Sequence, residues 1–278
     1  MRYALALTAA LLTICPWMMP ADLGAEAAPQ QEVQKAADPL RADVVEEVLL
    51  GRETAARIAG IYGLDERPLA NKYVGLVGQV VARNAGRPEL SFHFGILNTD
   101  VVNSFAAPGG YIFITRGALE RMQNEAELAG VLAHEVAHVA ERHALRRIGV
   151  SVSADGSTGL AKRMGGTAEA NQAERDRLVE KTLDILLDQG YGSADDQQAD
   201  HDAILITALA GYDPAAMAQY LERLNSDKGK ALELLKHTHP AGPARVSAIR
   251  ETIKSESIDG SRLKTNNDRF REVFSAKQ

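Results

Sequence analysis

The sequence has little cysteine, few aromatic residues and no excess of basic charge. Its 278 residues include one cysteine, one tryptophan and an aromatic fraction of 5%. The formal net charge is −6, and without a basic cluster this balance argues against a nucleic-acid partner. Beyond the N-terminal segment, no apolar run reaches the roughly 20 residues that a membrane-spanning helix needs. The low aromatic content and the abundance of alanine favour a helix-rich fold.

The N-terminus has the organisation of an export signal. Arg2 supplies positive charge, residues 4–14 form an apolar core, and residues 25–27 form a small-x-small cleavage site. We expect cleavage after residue 27 and a periplasmic mature protein. Cleavage would remove the one cysteine, Cys15, which suits an oxidising compartment and excludes thiol catalysis. An uncleaved anchor is the alternative, and a lipoprotein is disfavoured because Ile14 precedes Cys15 where a small residue is expected.

The rest of the chain predicts one mostly helical α+β domain. Residues 28–42 have the composition of a flexible leader, residues 43–254 carry the domain, and residues 255–278 are a polar C-terminal tail. Residues 90–97 and 111–115 alternate as strands, and residues 103–110 are a turn-rich segment that joins them. We therefore expect a small antiparallel β-sheet among helices.

One run carries the chemistry, the His-Glu-Val-Ala-His sequence at residues 134–138. Its surroundings are rich in Ala, Leu, Glu and Arg and lack proline, which predicts a helix over residues 124–147. Residues four apart in a helix lie about 40° apart around the axis and about 6 Å along it. His134 and His138 can therefore hold one metal ion, and Glu135 can take a proton from water on it. The alternative is a surface helix with two ordinary histidines.

A metal held by two histidines needs a third protein ligand, and a later acidic helix offers one. Asp196 and Asp200 lie four apart in the segment 195–204 and share a helix face. One could bind the metal while the other accepts a hydrogen bond from a ligand imidazole. The alternative is a solvated acidic face. His143 lies about 180° around a continuous helix from His134, so we expect it not to bind the same ion.

Five segments in this order resemble the gluzincin zinc metallopeptidases of the BepA, LoiP and HtpX type, relatives of the CAAX prenyl endopeptidase. They are NSFAAPGGYIFITRGAL (103–119), NEAELAGVLAHEVAHVAERH (124–143), the acidic-x-x-Ala-Asp element (196–200), AGYDP (210–214) and the late His-Pro with a downstream arginine. The resemblance covers residues 43–254. It implies a zincin-like fold with one zinc ion per chain.

The resemblance also implies roles for individual residues. It assigns His134 and His138 as zinc ligands, Glu135 as the general base and Asp196 as the third ligand. Asp200 would contact a ligand imidazole without binding the zinc. Where the family has glutamate as third ligand, this chain has aspartate, which is one methylene shorter. Serine at 193 and glutamine at 198 also depart from the family's usual arginine and glutamate.

Two later residues are candidates for the same site. In BepA-like members the histidine equivalent to His239 can bind zinc as an extra ligand that holds the enzyme shut. His239 could instead donate a hydrogen bond to the developing oxyanion, or act only as a turn residue before Pro240. Arg245 is either a charge donor at the site or a helix-surface arginine.

The predicted function is zinc-dependent hydrolysis of extended or misfolded polypeptides, including outer-membrane proteins. We expect residues 111–115 to form an edge strand that aligns a peptide by backbone hydrogen bonds. The expected substrate-binding residues are Gly109, Gly110, Tyr111, Ile112 and Phe113. The alternative is a metal-binding chaperone for exported proteins with weak or lost peptidase activity. Peripheral membrane association stays open.

Overall fold

The computed structural model describes residues 39–274, apart from 228 and 241. The predicted signal peptide and the leader up to residue 38 lie outside the described residues. Residues 39–42, which the sequence assigns to the leader, belong to the first helix. The described residues fall within one unit of the chain, Ala37–Gln278.

Twelve α-helices form most of the described part of the chain. In chain order they are α1 (Pro39–Tyr62), α2 (Pro68–Ala82), α3 (Arg116–Leu119), α4 (Glu125–Ala140), α5 (His143–Arg147), α6 (Leu160–Arg163), α7 (Ala168–Asp184), α8 (Ser193–Leu209), α9 (Ala215–Ser226), α10 (Glu233–Thr238), α11 (Pro243–Ser255) and α12 (Asn267–Phe274). A π-helical turn, Ile185–Gln189, follows α7. Among the helices of the described range, none is long and apolar enough to cross a membrane.

Helix α4 lies at the centre of the fold. Every residue from Glu125 to Val139 is buried, as expected of a helix that is apolar on most of its circumference. Asn124 caps it by accepting a hydrogen bond from the backbone N–H of Glu127 at 3.0 Å. Helices α2, α8 and α9 and one edge of the sheet surround it. The segment with the metal motif is therefore the scaffold around which the other elements pack.

The sheet is mixed, so the expectation of an antiparallel sheet is wrong in part. Its strands are β1 (His93–Leu97), β2 (Ser104–Ala107) and β3 (Tyr111–Thr115), in the order β1-β3-β2. Strand β1 is parallel to β3, and β2 is antiparallel to it. The segment that the sequence predicts as a connection contains β2, which is buried along its whole length and therefore shows no polar-apolar alternation.

A tight turn joins β2 to β3. Gly109 and Gly110 have φ angles of 68° and 95°, a conformation that glycine adopts without steric cost. A Cβ on Gly109 would lie 2.6 Å from the Cα of Val48, so the turn packs directly against α1. The two faces of the hairpin then enter different hydrophobic clusters. Ala106 and Ile112 face the cluster around α4, whereas Phe105 and Phe113 face the cluster around α1 and α7.

The C-terminal segment contains structure that its composition does not predict. Helix α11 continues to Ser255, and α12 follows in what the sequence predicts to be a polar tail. Phe270 of α12 is 3% exposed. Asn266 and Arg269 donate hydrogen bonds to the buried carboxylate of Glu125, which also accepts from Tyr73 and Tyr212. These polar contacts attach α12 to the first turn of α4.

Candidate metal centre

The two histidines of the motif face each other across one turn of α4. His134 Nε2 and His138 Nε2 are 2.9 Å apart, and both side chains are buried. Burial holds the pKa of His138 well below its ordinary value, so its imidazole is neutral. A neutral imidazole is the form that binds a metal.

Asp196 meets these histidines from the first turn of α8. Its Oδ1 lies 3.4 Å from His138 Nε2 and 3.8 Å from His134 Nε2. Burial alone would raise the pKa of Asp196, but hydrogen bonds from His138 and His239 outweigh it, and the pKa falls below the ordinary value. The short side chain reaches the centre because α8 packs closely along α4. Each helix contributes fully buried alanines, among them Ala133, Ala137, Ala199 and Ala203.

His239, directly after α10, completes the group. Its Nδ1 lies 3.0 Å from Asp196 Oδ1 and 3.5 Å from His134 Nε2. Donor atoms of His134, His138, Asp196 and His239 all lie within 4.8 Å of one another, the one such group in the part of the chain that the structure describes. Ligand bonds of about 2.0–2.2 Å in a tetrahedron separate donor atoms by about 3.3–3.6 Å. The donor separations scatter around that range, so these residues fit a single metal ion.

The outer nitrogen of His134 is held by an ion pair. His134 Nδ1 lies 2.9 Å from Asp200 Oδ1, and Arg245 donates to both oxygens of Asp200 at 2.8 Å. Burial would raise the pKa of Asp200, but the charge of Arg245 outweighs it, and the pKa falls well below its usual range. An ionised outer carboxylate fixes the orientation of a metal-binding imidazole. The structure therefore places Arg245 in the site, and not on the helix surface.

The outer nitrogen of His138 contacts another histidine. His138 Nδ1 and His143 Nδ1 are 2.7 Å apart, and His143 Nε2 lies 3.6 Å from Asp195 Oδ1. The sequence predicts a continuous helix to residue 147, but α4 ends at Ala140. Arg142 has a φ angle of 53°, which turns the chain and brings His143 back to His138. No local pattern in the sequence reveals this contact.

Tyr191 is a second site residue that the sequence does not indicate. Its ring stacks on the imidazole of His138, with centroids 4.1 Å apart and planes at 18°. Its hydroxyl donates to the backbone carbonyl of Ala106 on β2 at 2.7 Å. Burial raises the pKa of Tyr191 well above its ordinary value, so the hydroxyl remains a donor. Tyr191 therefore connects the motif helix to the sheet.

Glu135 is a buried carboxylate with one oxygen free. Its Oε1 accepts a hydrogen bond from Ser104 Oγ at 2.7 Å. Its Oε2 has no hydrogen-bond partner among the described residues, although it is buried. A buried carboxylate oxygen normally has a partner because desolvation is costly. An oxygen that is free to accept a proton, close to a metal-binding group, could act as a general base toward water held there.

The residues expected to bind substrate lie on the central strand of the sheet and in the turn before it. Strand β3 is the central strand, bonded to β1 on one side and to β2 on the other, so the prediction that it is an edge strand is wrong. Only two strands are recognisable in the sequence, and in a sheet of two strands both are edge strands. The strand next to α4 is β2, and its Ser104 contacts Glu135. Gly109 and Gly110 pack in the turn at the far end of β2.

Two histidines and a glutamate on a central helix, with a carboxylate from a second helix, define a zincin-like metallopeptidase domain. The comparison with known families agrees with this class. The model for peptidase family M48 matches residues 68–253. The chain belongs to this family, which confirms the metallopeptidase predicted from the sequence.

Several relatives of the chain are named as proteases or metallopeptidases. The chain is 32% identical over 203 residues to the beta-barrel assembly-enhancing protease of Yersinia pestis, covering 66% of this chain and 39% of that protein. It is 26% identical over 189 residues to the mitochondrial metalloendopeptidase OMA1 of Schizosaccharomyces pombe, covering 67% and 54%. It is 26% identical over 159 residues to the metalloprotease LoiP of Escherichia coli, covering 56% and 61%. The match spans about two fifths of the beta-barrel assembly-enhancing protease.

Proposed function

We propose that this protein is a zinc-dependent endopeptidase that hydrolyses extended or misfolded polypeptides in the periplasm. The observation that carries the proposal is the free, buried oxygen of Glu135 beside four converging donor atoms. Three imidazoles and a carboxylate suit zinc in tetrahedral geometry. His134, His138 and Asp196 would hold the ion. When bound, zinc would act as a Lewis acid that lowers the pKa of water and polarises a carbonyl group.

The chain's own residues then move the proton. Oε1 of Glu135 is held by Ser104, so Oε2 is available to accept a proton from the attacking water. The water oxygen forms a bond to the scissile carbonyl carbon and the carbon–nitrogen bond breaks. Glu135 passes its proton to the departing nitrogen, which leaves as an amine. Asp200 and His143 keep the two ligand imidazoles oriented through their outer nitrogens.

His239 regulates entry to this centre in the proposal. It lies at hydrogen-bond distance from Asp196 and occupies the fourth donor position, where a substrate carbonyl would approach. Substrate binding therefore requires His239 to leave that position. Displaced from that position, His239 could donate a hydrogen bond to the developing oxyanion. Of the three roles open for His239 in the sequence, this proposal combines two, the extra metal ligand and the oxyanion donor.

We propose that the substrate aligns on β2, in place of the residues 109–113 expected from the sequence. Strand β2 is the sheet edge next to α4, and the Ala106 carbonyl points away from β3, toward Tyr191. An extended peptide would pair with β2 through such backbone groups, a mode that has little dependence on sequence. The hydroxyl of Tyr191 would have to release the Ala106 carbonyl as the peptide pairs.

The substrates and the compartment are inferred from the relatives and from the N-terminal sequence. The name of the Yersinia pestis relative points to assembly of β-barrel proteins, and the first 27 residues have the organisation of an export signal. We therefore propose unfolded outer-membrane proteins as substrates. Cell fractionation tests the compartment, because osmotic shock should release a form whose N-terminus, by mass spectrometry, follows residue 27. Recovery of the unprocessed protein in spheroplasts would contradict this proposal.

The activity is tested by comparing the wild type with Glu135→Gln. We expect the wild type to contain one zinc per chain by elemental analysis and to degrade unfolded casein. Glu135→Gln should retain the zinc and lose the degradation. Glu251→Gln, the same change at an exposed position of α11, serves as the matched control and should behave as wild type. Wild-type protein without tightly bound metal, or equal cleavage by Glu135→Gln, would refute the proposal.

The second candidate function is a metal-binding chaperone with weak or lost peptidase activity. It is favoured by the closed arrangement in which His239 contacts Asp196 and excludes substrate from the fourth position. It predicts full zinc content and suppression of outer-membrane protein aggregation without any cleavage by the wild type. Aggregation assays run beside the casein assay therefore separate the two functions.

A further inference from the structure

A groove with a volume of about 720 Å³ lies beside the first half of α1, and the residues that line it do not include those of the metal centre. One wall is apolar and consists of Val44, Val45, Val48 and Leu49. The loop before α6 contributes to the other side through Gly156. Pockets for small molecules commonly have volumes of about 300–1,000 Å³ and mostly apolar walls. The groove is therefore large enough for a small ligand.

The loop on this side of the groove is attached to α1. The buried carboxylate of Asp43 accepts hydrogen bonds at 2.7–2.8 Å from three backbone N–H groups of residues 158–161. Burial would raise the pKa of Asp43, but these hydrogen bonds outweigh it and lower the pKa. A Cβ on Gly156 would be 3.3 Å from a terminal nitrogen of Arg142, so the loop backbone packs directly on that guanidinium. Contacts within the chain therefore hold the groove in shape.

Arg142 lines the groove with a guanidinium that makes no hydrogen bond to any residue that the structure describes. Its side chain is only 15% exposed, and the carboxylates of Glu47 and Glu89 lie 3.7 and 3.8 Å from its nitrogens. Arg87 donates hydrogen bonds to both of these carboxylates instead. Burial and the charge of Arg87 lower the pKa of Arg142. Because a mostly buried guanidinium normally has acceptors for its N–H groups, Arg142 is available to donate to a ligand.

The charges at the groove favour one negative charge on that ligand. A carboxylate matches the planar guanidinium of Arg142 through two parallel hydrogen bonds. Glu89 and Asp155 also line the groove, so a dianionic phosphate would be repelled more strongly than a carboxylate. Arg41 is the other basic residue of the lining. The apolar wall of α1 favours a ligand whose remaining part is a hydrocarbon chain.

We propose that this groove binds a fatty acid of medium chain length, with its carboxylate on the terminal nitrogens of Arg142 and its acyl chain along the apolar face of α1. The inference does not depend on the proposed peptidase function. From Arg41 to Leu49 the helix is about 12 Å long, which suits the extended chain of octanoate or decanoate. Each methylene that the groove buries should tighten binding by up to about fourfold.

Calorimetric titration of the purified, zinc-loaded protein with hexanoate, octanoate, octanol and octyl phosphate tests the site. We expect octanoate to bind saturably at one site, up to about 15-fold more tightly than hexanoate, because it buries two further methylenes. Octanoate should bind at least about tenfold more tightly than octanol, which lacks the charge that strengthens hydrogen bonds from Arg142. Octyl phosphate should bind more weakly than octanoate.

Two variants separate the contacts of the carboxylate from those of the chain. Arg142→Gln should weaken octanoate binding to the level of octanol and leave octanol binding unchanged, whereas Arg52→Gln, at an exposed position of α1, should behave as wild type. Val45 is 51% exposed, so Val45→Asp can be introduced without disturbing the core and should abolish binding of both ligands. Leu76→Asp, at a position of α2 that is 58% exposed, is its matched control.

Several results would overturn the inference. Absence of saturable octanoate binding would show that the groove is not a fatty-acid site. Equal affinities of the wild type for octanoate and octanol would exclude the contact between the carboxylate and Arg142. Unchanged octanoate binding in Arg142→Gln or in Val45→Asp would place the ligand elsewhere on the protein. Tighter binding of octyl phosphate than of octanoate would contradict the preference for a single negative charge.

Discussion

The ion pair behind His134 allows metal affinity and fold stability to be separated by mutation. Asp200 holds His134 Nδ1 at 2.9 Å, and both Asp200 oxygens accept from Arg245 at 2.8 Å. We expect Asp200→Ala to lower zinc affinity about 10- to 100-fold, the usual effect of losing such an outer partner. Because a tenfold change equals about 1.4 kcal/mol, the loss in binding free energy is about 1.4–2.7 kcal/mol.

The same substitution should also destabilise the metal-free fold. The side chains of Asp200 and Arg245 are 7% and 11% exposed, so Asp200→Ala leaves a guanidinium buried without its counter-charge. Breaking such a pair costs about 3–5 kcal/mol of unfolding free energy. Replacing both partners with apolar residues is often close to neutral. Asp200→Ala combined with Arg245→Met should therefore recover most of the lost stability but not the zinc affinity.

Two assays distinguish these effects. Denaturant unfolding in the presence of a chelator measures the stability of the metal-free fold, and competition with a chromophoric zinc chelator measures affinity. Asp200→Asn, which keeps the shape and removes the charge, should fall between the wild type and Asp200→Ala in both assays. Wild-type affinity in Asp200→Ala, or restored affinity in the double variant, would refute the role assigned to Asp200.

Three further predictions concern residues around the centre. Ser104→Ala removes a hydrogen bond to a buried carboxylate, worth about 1.5–3 kcal/mol. It should lower kcat for peptide cleavage about tenfold or more with zinc content unchanged, and an unchanged kcat would show that Ser104 does not position Glu135. Tyr191→Phe leaves the Ala106 carbonyl buried without its donor and should cost about 1–3 kcal/mol in urea unfolding, whereas an equal stability would contradict the contact. Burial would raise the pKa of Glu125, but hydrogen bonds from Arg269 and two tyrosines lower it below the ordinary 4.5. Its ionised form therefore stabilises the fold above pH 4.5, and this contribution disappears as the pH falls through the lowered pKa. The difference in unfolding free energy between wild type and Glu125→Gln should accordingly shrink on acidification. A difference that grows would show that the ionised form of Glu125 does not stabilise the fold.

The motif shows how local sequence determines chemistry. His134 and His138 are one helical turn apart, and helix geometry alone brings their side chains together. The surrounding alanines and leucines make that helix stable and apolar, so its central position also follows from local composition. The acidic pair Asp196 and Asp200 shares a helix face for the same reason. Family membership follows from these local features as well.

Tertiary packing decided the remaining parts of the site. Ser104 reaches Glu135 because β2 lies beside α4, and β2 itself is hidden in the sequence by its uniform burial. His143 contacts His138 because the chain turns at Arg142, and Tyr191 stacks on that histidine from a segment some fifty residues later. Helical spacing and apolar periodicity are properties of neighbouring residues and can be read from the sequence. These contacts join residues far apart in the chain, and they depend on how closely whole helices and strands approach.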